Sequence, residues 1–441
     1  MGSDPNPAGD VLLAAVDMGY GHLRAASALS SQLGVPVSQV DRPPFATAHE
    51  ARLWKVLRTA YTGLSRASQG RWGGRTLRWV LETLTEIPRL YPYRDLSAPN
   101  LAVKLATGLI RAGLGKEVVR VVREKDATLL TTFFAPALAA AHAGLRRVVC
   151  VVTDSDIARV WVPADPAGHP ILYCAPSERA VRRLQAYGVP PHRVHLTGFP
   201  LPPELVNEGQ EEQVAEAMAR RLVRLDPAGT FRRQFRAELQ GALPQLAEVS
   251  SPEPPRLTFA VGGAGAQAFM VRQFLPSLAP LLREGRLRLA LVAGVNERVF
   301  RRFQQWVAEA HLDHLPPAVL QVLWEPTVEA YLASFHRLLA DTDILWTKPS
   351  ELTFFAALGI ALVFAPPVGV HEVLNRRWAL ERGAGLKQEH PSAAGQWLAD
   401  WLADGTLAGA AWNGFRRLPR RGGSRIAELL ARLHADPQGL F

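Results

Sequence analysis

Two doubly wound α/β domains, each a parallel sheet covered by helices on both faces, are the fold class this sequence predicts. Three observations lead there. The chain has 441 residues, whereas single hydrophobic cores stop growing near ~250–300. Short apolar runs alternate with helical patterns, as βαβ units require. That alternation stops between Asn207 and Pro255, a polar, charged, Pro-interrupted stretch with no strand pattern, and then resumes. The boundaries follow: residues 1–205 form an N-terminal domain, 206–255 a helical linker region, 256–415 a C-terminal domain, and 416–441 a tail helix expected to cross back to the first domain.

The strands of the first half are expected at VLLAAV (from Val11), VPVSQV (Val35), ATLLTT (Ala127), RRVVCVVTD (Arg146), ILYCA (Ile171) and RVHLTG (Arg193). The second half offers RLTFAVGG (Arg256), RLALVAG (Arg286), LQVLW (Leu320), DILWT (Asp343) and ALVFAPP (Ala361). A hydrophobic fraction of 48% and a charged fraction of 20% exclude disordered, collagen-like and coiled-coil classes. Both cysteines, Cys150 and Cys174, fall in apolar runs and read as small core residues in a reducing cytoplasm. The run Val11–Val16 is too short for a signal h-region, so export is not expected. Charged residues interrupt every hydrophobic segment before the ~18–20 residues that a spanning helix needs, so any membrane contact is expected to be peripheral, on the inner face.

The net charge of +10 is unevenly spread. Residues 50–125 hold 15 Lys or Arg against 6 Asp or Glu, a net of +9, mixed with Trp54, Tyr61, Trp72, Trp79, Tyr91 and Tyr93. This basic, aromatic helical insertion suits an anionic lipid surface, where each cation contributes about 1 kcal/mol. A solvated arginine-rich face explains the same composition. Nucleic acid could use the charge and is disfavoured as a partner.

Three constellations carry chemistry. In AAVDMGYGHLRAASAL a strand runs through Gly19, Tyr20, Gly21 and His22 into a helix, so a ligand can approach backbone N–H groups at the positive helix end. A tight turn with His22 capping its helix fits the same residues. FAVGGAGAQAFMVRQFL repeats the geometry with Gly262, Gly263 and Gly265, a phosphate cradle at the first strand of the second domain. Neither loop is a full dinucleotide fingerprint, which disfavours hydride transfer with a nicotinamide cofactor. In DILWTKPSELTFFAALGIALVFAPPVGVHEVLNRRWAL, Lys348, Glu351, His371, Glu372, Asn375 and Arg376 lie past strand ends or at helix starts, where open α/β sheets bind ligands. Glu351 could hold ribose hydroxyls or merely complement a helix dipole.

These segments resemble the GT-B glycosyltransferases of the MurG and monogalactosyldiacylglycerol synthase group. GYGHLRAASAL is similar to the group's Gly-rich His loop, and CVVTDSDIARVWVP to its Thr-Asp strand and Trp-Pro segment. SERAVRRLQAYGVPPHRVHLTGFPL resembles the segment before its interdomain linker, and TKPSELTFFAALGIALVFAPPVGVHEVLN its donor-site signature. The resemblance runs from Val11 to Ala379 and implies two Rossmann-like domains facing a cleft. It implies Gly262, Gly263 and Gly265 near a donor diphosphate, Gly294 and Asn296 near the base, and Glu372 and Asn375 on sugar hydroxyls with Lys348 nearby. His22 would sit near the acceptor oxygen. The chain departs from the pattern where the glycine pair after Lys-Pro becomes Ser350-Glu351, and where Phe354 occupies the usual ribose carboxylate position.

The implied activity is hexosyl transfer from a nucleotide-diphosphate donor, a UDP-sugar, to a lipid or other membrane-proximal acceptor, making a glycolipid in the cytoplasm. No cofactor is expected, the nucleotide sugar being a substrate. Asp154-Ser155-Asp156 is the nearest match to a metal-binding Asp-x-Asp, but its place in the first domain points to the acceptor side, so metal independence is expected. Asp154 is the favoured general base and His22 its competitor. A sugar-nucleotide 2-epimerase, or a non-catalytic GT-B scaffold kept open by Ser350-Glu351, are the alternatives.

Overall fold

The computed structural model describes residues 10–67, 86–263, 265 and 267–436, and of residues 60–67 the backbone alone. Trp72, Trp79 and the Tyr61 side chain therefore lie outside the described residues. The chain forms two compact units, one from Met1–Pro203, Val368–Asn375 and Pro419–Phe441, the other from Glu204–Pro367 and Arg376–Leu418.

Among the described residues, the first unit has six strands: β1 (Val11–Ala15), β2 (Val37–Gln39), β3 (Thr128–Thr131), β4 (Val148–Val151), β5 (Ile171–Ala175) and β6 (Val194–Leu196). They form one parallel sheet in the order β2-β1-β3-β4-β5-β6. Every residue of β3, β4 and β5 is buried, which is why VVCV and ILYCA are continuous apolar runs: helices cover both faces of a parallel sheet. Each buried Val or Leu contributes about 1.5–3 kcal/mol of transfer free energy. The strand order reverses between β1 and β3, and the crevice outside the carboxyl ends at such a switch is where ligands of open α/β sheets bind. The helix Gly422–Ala435 buries Ile426, Leu429, Leu430 and Leu433 and packs on the helix Tyr20–Leu33, so the end of the described chain completes the unit that its beginning started.

The second unit carries β7 (Arg256–Ala260), β8 (Arg288–Gly294), β9 (Leu320–Trp324), β10 (Ile344–Thr347), β11 (Ala361–Phe364) and β12 (Gly385–Lys387). Their order, β12-β11-β10-β7-β8-β9, is again parallel throughout, with its switch point between β7 and β10. The stretch expected as a linker belongs to this unit's body. Its helix Glu211–Leu225 buries Met218, Ala219, Leu222 and Leu225 in the core. Arg224 holds Asp343 through two nitrogens at 2.6 and 2.9 Å, and Arg221 donates to the carbonyls of Leu358 and Thr342 at 2.7 and 3.0 Å. Pairing an arginine fork with one carboxylate fixes the geometry as well as the charge. The polarity that made this segment look like a linker is the polarity of its anchors.

Candidate active site

In the first unit the site grows from the ends of β1, β3 and β4. Gly19 precedes the helix Tyr20–Leu33 with φ 126°, a conformation that disfavours any side chain, and this turn brings Gly21 and His22 into the first helical turn. The His22 ring points inward rather than capping its helix. It is 5% exposed, with Nδ1 2.7 Å from the carbonyl oxygen of Thr132, just past β3, and 3.2 Å from Oγ1 of Thr153, just past β4. Thr132 returns a hydrogen bond from its own Oγ1 to the His22 carbonyl at 3.0 Å. A carbonyl only accepts, so Nδ1 carries the proton and the acceptor lone pair of the neutral imidazole lies on Nε2. Phe133 meets the ring edge-on at 4.9 Å and Trp161 lies 6.2 Å away, fixing its plane.

Asp154 follows Thr153 and is half-buried. Its Oδ1 accepts a hydrogen bond from Nδ2 of Asn375 at 2.9 Å. The Asn375 carbonyl oxygen in turn accepts from Ser155 N–H at 2.8 Å and Ser155 Oγ at 2.7 Å. Asp156 turns the other way, into an ion-paired network with Arg179 and Arg183 at 2.7 Å each, where its side chain is wholly buried. The two aspartates of the Asp-Ser-Asp triplet thus have different partners, Asp154 an amide and Asp156 two arginines. Removing one partner of such a buried pair typically costs about 3–5 kcal/mol. Glu372, 2% exposed, accepts from the Val368 N–H at 2.7 Å, closing the start of the helix Val370–Leu380.

In the second unit the glycine loop follows β7. A Cβ added at Gly262 would lie 2.6 Å from Cε of Lys348, which follows β10, so the lysine stem crosses the loop where only glycine leaves room. These two residues face each other across the switch point. The loop is drawn in by a hydrogen bond from Gly265 N–H to the Gly262 carbonyl at 2.7 Å, and Gly265 has φ +65°. Gly263 is exposed. Gln267 donates to the Pro366 carbonyl at 2.7 Å, tying the loop to the end of β11. Gly294 ends β8 with φ 66°, and Asn296 caps the next helix by accepting from Val299 N–H at 3.2 Å. Glu351, 8% exposed, opens the 3-10 helix Glu351–Leu358. Phe354 is buried with its ring 5.1 Å from that of Trp378, a core residue.

No family model matches the sequence. Over 171 residues, 37% of this chain, it is 27% identical to a Bordetella pertussis UDP-N-acetylglucosamine–N-acetylmuramyl-(pentapeptide) pyrophosphoryl-undecaprenol N-acetylglucosamine transferase. The chain spans 44% of the length of that relative. Acinetobacter baumannii MurG superposes with a TM-score of 0.50 at 15% identity, over 96% of this chain and 99% of that one. The fold is GT-B. A Listeria monocytogenes protein assigned as a UDP-N-acetylglucosamine 2-epimerase superposes on this GT-B chain with a TM-score of 0.53 at 10% identity, over 97% of this chain and 96% of that one.

Of the residues singled out in the sequence, this GT-B chain brings His22 and Asp154 to neighbouring strand ends of one unit, and Gly262 and Lys348 together in the other. Glu372 and Asn375, expected on the donor sugar, find the hydrogen-bond partners described above in the first unit. Sequence reasoning missed Thr132, Thr153 and Gln267. A hydroxyl directly after a buried apolar strand was the available signal for the threonines; nothing in the sequence marked Gln267.

Proposed function

We propose that this chain is a glycosyltransferase that moves a hexosyl group from a UDP-sugar to a hydroxyl of a lipid or other membrane-proximal acceptor, without a metal ion. The observation that carries the reading is Asp154. Asn375 fixes one of its carboxylate oxygens, the other has no partner among the described residues, and the buried His22 is held next door on Thr132 and Thr153. Asp154 takes the proton from the acceptor while His22 Nε2 orients it. The acceptor oxygen bonds to the anomeric carbon, the bond from that carbon to the diphosphate breaks, and UDP leaves. Lys348 and the amides of the Gly262 loop take up the charge on the leaving group, since preorganised dipoles stabilise developing charge more than water does. A fixed lysine at that place makes a divalent ion dispensable.

The lipid acceptor is supported by the first unit's surface. Tyr91, Tyr93, Leu101 and Leu105 are exposed, and Lys104 and Arg111 share the helix of the two leucines. No helix among the described residues is long and apolar enough to cross a membrane. The donor to try first is UDP-N-acetylglucosamine, because the relative named above uses it. The test is to incubate the protein with this and other UDP-sugars, with and without a bacterial lipid extract, and follow UDP release and product mass. Acceptor-dependent UDP release with a glycosylated lipid is expected. Turnover of the nucleotide sugar without acceptor would make the protein an epimerase, and no turnover under any condition a scaffold.

A further inference from the structure

We infer that Asn375 is a positioning residue for Asp154, holding the carboxylate that activates the acceptor rather than the donor sugar. The inference rests on the proposed role of Asp154 as base. Asn375 is completely buried and lies in the helix Val370–Leu380, far along the chain from the β4 turn it braces. Its amide orientation is fixed by chemistry: the Ser155 N–H can only donate and the Asp154 carboxylate can only accept, so the carbonyl oxygen faces Ser155 and the NH2 group faces Asp154. The two bonds from Ser155, at 2.8 and 2.7 Å, use both lone pairs of that oxygen. With one N–H on Asp154, at most one N–H remains for anything else.

The turn is braced from its far side as well. Ser177 Oγ donates to the Ser155 carbonyl at 2.8 Å while accepting from Ala180 N–H at 3.1 Å as the cap of the helix Glu178–Ala186. Asp156 is locked by Arg179 and Arg183. Ser155 and Asp156 are thus pinned, and the one mobile element left between Thr153 and Ser155 is the Asp154 side chain. Asn375 is the group that removes that freedom. A carboxylate held in one rotamer, with one oxygen occupied and the other open, is preorganised to accept a proton from a single direction.

The test is steady-state transfer by the full chain in a double-mutant cycle on Asn375→Ala and Asp154→Asn, with UDP-sugar affinity measured separately by titration. Asn375→Ala should lower kcat about 10- to 100-fold, the range for losing a hydrogen bond to a charged group, with donor affinity within about twofold of the parent. In the Asp154→Asn background the same change should cost nothing further, because two residues acting through one group are not additive. Asn375→Asp keeps the acceptor oxygen for Ser155 but sets carboxylate against carboxylate, so the acid limb of its kcat–pH profile should move to higher pH. A purely structural asparagine would move melting temperature and leave the kcat of folded Asn375→Ala near that of the parent. If Asn375→Ala does not fold, Asn375→Asp decides alone. Donor affinity lost with kcat retained, equal losses in both backgrounds, or an unmoved acid limb would each overturn the inference. Near-parent transfer by Asp154→Asn would remove the base assignment itself, whereas a crippled Asp154→Asn beside a full-rate Asn375→Ala removes only the positioning role.

Discussion

His22 Nδ1 sits 2.7 Å from the Thr132 carbonyl oxygen, and this contact, made just past the ends of β1 and β3, fixes which ring nitrogen is left to accept a hydrogen bond. With the proton fixed on Nδ1, only Nε2 can accept, and in the proposed reaction it does so from a second hydroxyl of the acceptor, the reacting hydroxyl giving its one proton to Asp154. His22→Asn keeps an N–H near the Nδ1 position for Thr132 and deletes Nε2. It should fold like the parent and bind UDP-sugar as tightly, while kcat/KM for the acceptor falls about 10- to 100-fold. A selective collapse of kcat instead, larger than that of Asp154→Asn, would move the base to the histidine.

Gly262 and Lys348 supply a steric prediction. Gly262→Ala would put a methyl group 2.6 Å from Lys348 Cε, well inside the ~3.5–4.0 Å of a carbon–carbon contact, so the lysine must swing aside. Donor KM should rise about 5- to 30-fold, corresponding to one or two kcal/mol. Lys348→Met should act in the same direction, and the pair should cost less than the product of the singles. Donor kinetics of Gly262→Ala that match the parent would separate Lys348 from the diphosphate.

Metal independence is tested apart from these variants. Dialysis against excess EDTA should leave the rate of UDP release unchanged, and adding Mn or Mg should not raise it; loss of activity with recovery on adding metal would overturn the proposal.

The exposed face of the helix Leu101–Arg111 predicts how the protein meets lipid. Leu105 is 49% exposed and Tyr93 66%. Leu101→Ser with Leu105→Ser should weaken sedimentation with vesicles containing phosphatidylglycerol and leave the melting temperature within about 2 °C, these side chains being outside the core. Binding by the parent should fall steeply between 0.05 and 0.5 M salt, since the Debye length is about 10 Å at 0.1 M. Vesicle binding indifferent to both changes would mean a soluble acceptor.

Cys150 and Cys174 lie on the adjacent strands β4 and β5 and are fully buried. Burial pushes the Cys174 thiol up to about 12, and Cys150 is raised further by burial and then by its neighbour. Thiolate is the reactive form. At pH 8 the native protein should therefore leave a thiol reagent such as DTNB unreacted for hours, with both thiols titrating at once in guanidinium. One fast thiol in the native state would contradict the packing.

The parallel sheets were readable because strands buried on both faces must be apolar without interruption, as β1, β4, β5 and β11 are, and eleven of the twelve strands among the described residues fall in segments expected as strands. β12 escaped because Gly385–Lys387 is a three-residue edge strand with no pattern to show. The helical stretch 206–255 was misjudged for a physical reason: arginines such as Arg221 and Arg224 look solvated in a sequence but are bound to Asp343 and to carbonyls inside the fold. At the site, the glycine turns and strand-end polar residues were legible as the expected ligand positions, and they do lie at strand ends and helix starts. The direction of a side chain was not. Asn375 follows the strand-end motif expected of a sugar contact, yet its hydrogen bonds reach residues 154 and 155, a pairing that no local pattern encodes.

The first unit is sewn from segments at both ends of the chain, with the helix Gly422–Ala435 lying on the helix Tyr20–Leu33. During synthesis, then, Pro203 leaves the ribosome long before Pro419 does. At about 5–20 residues per second the wait is roughly 10–40 s, during which the helix Tyr20–Leu33 lacks the helix Gly422–Ala435 that packs on it. The second unit, whose segments all lie between Glu204 and Leu418, can finish before it. The nascent chain therefore matures out of sequence order, with its first-made sheet the last to close, and a chaperone that binds exposed apolar helices has its longest opportunity on the half of the protein that was born first.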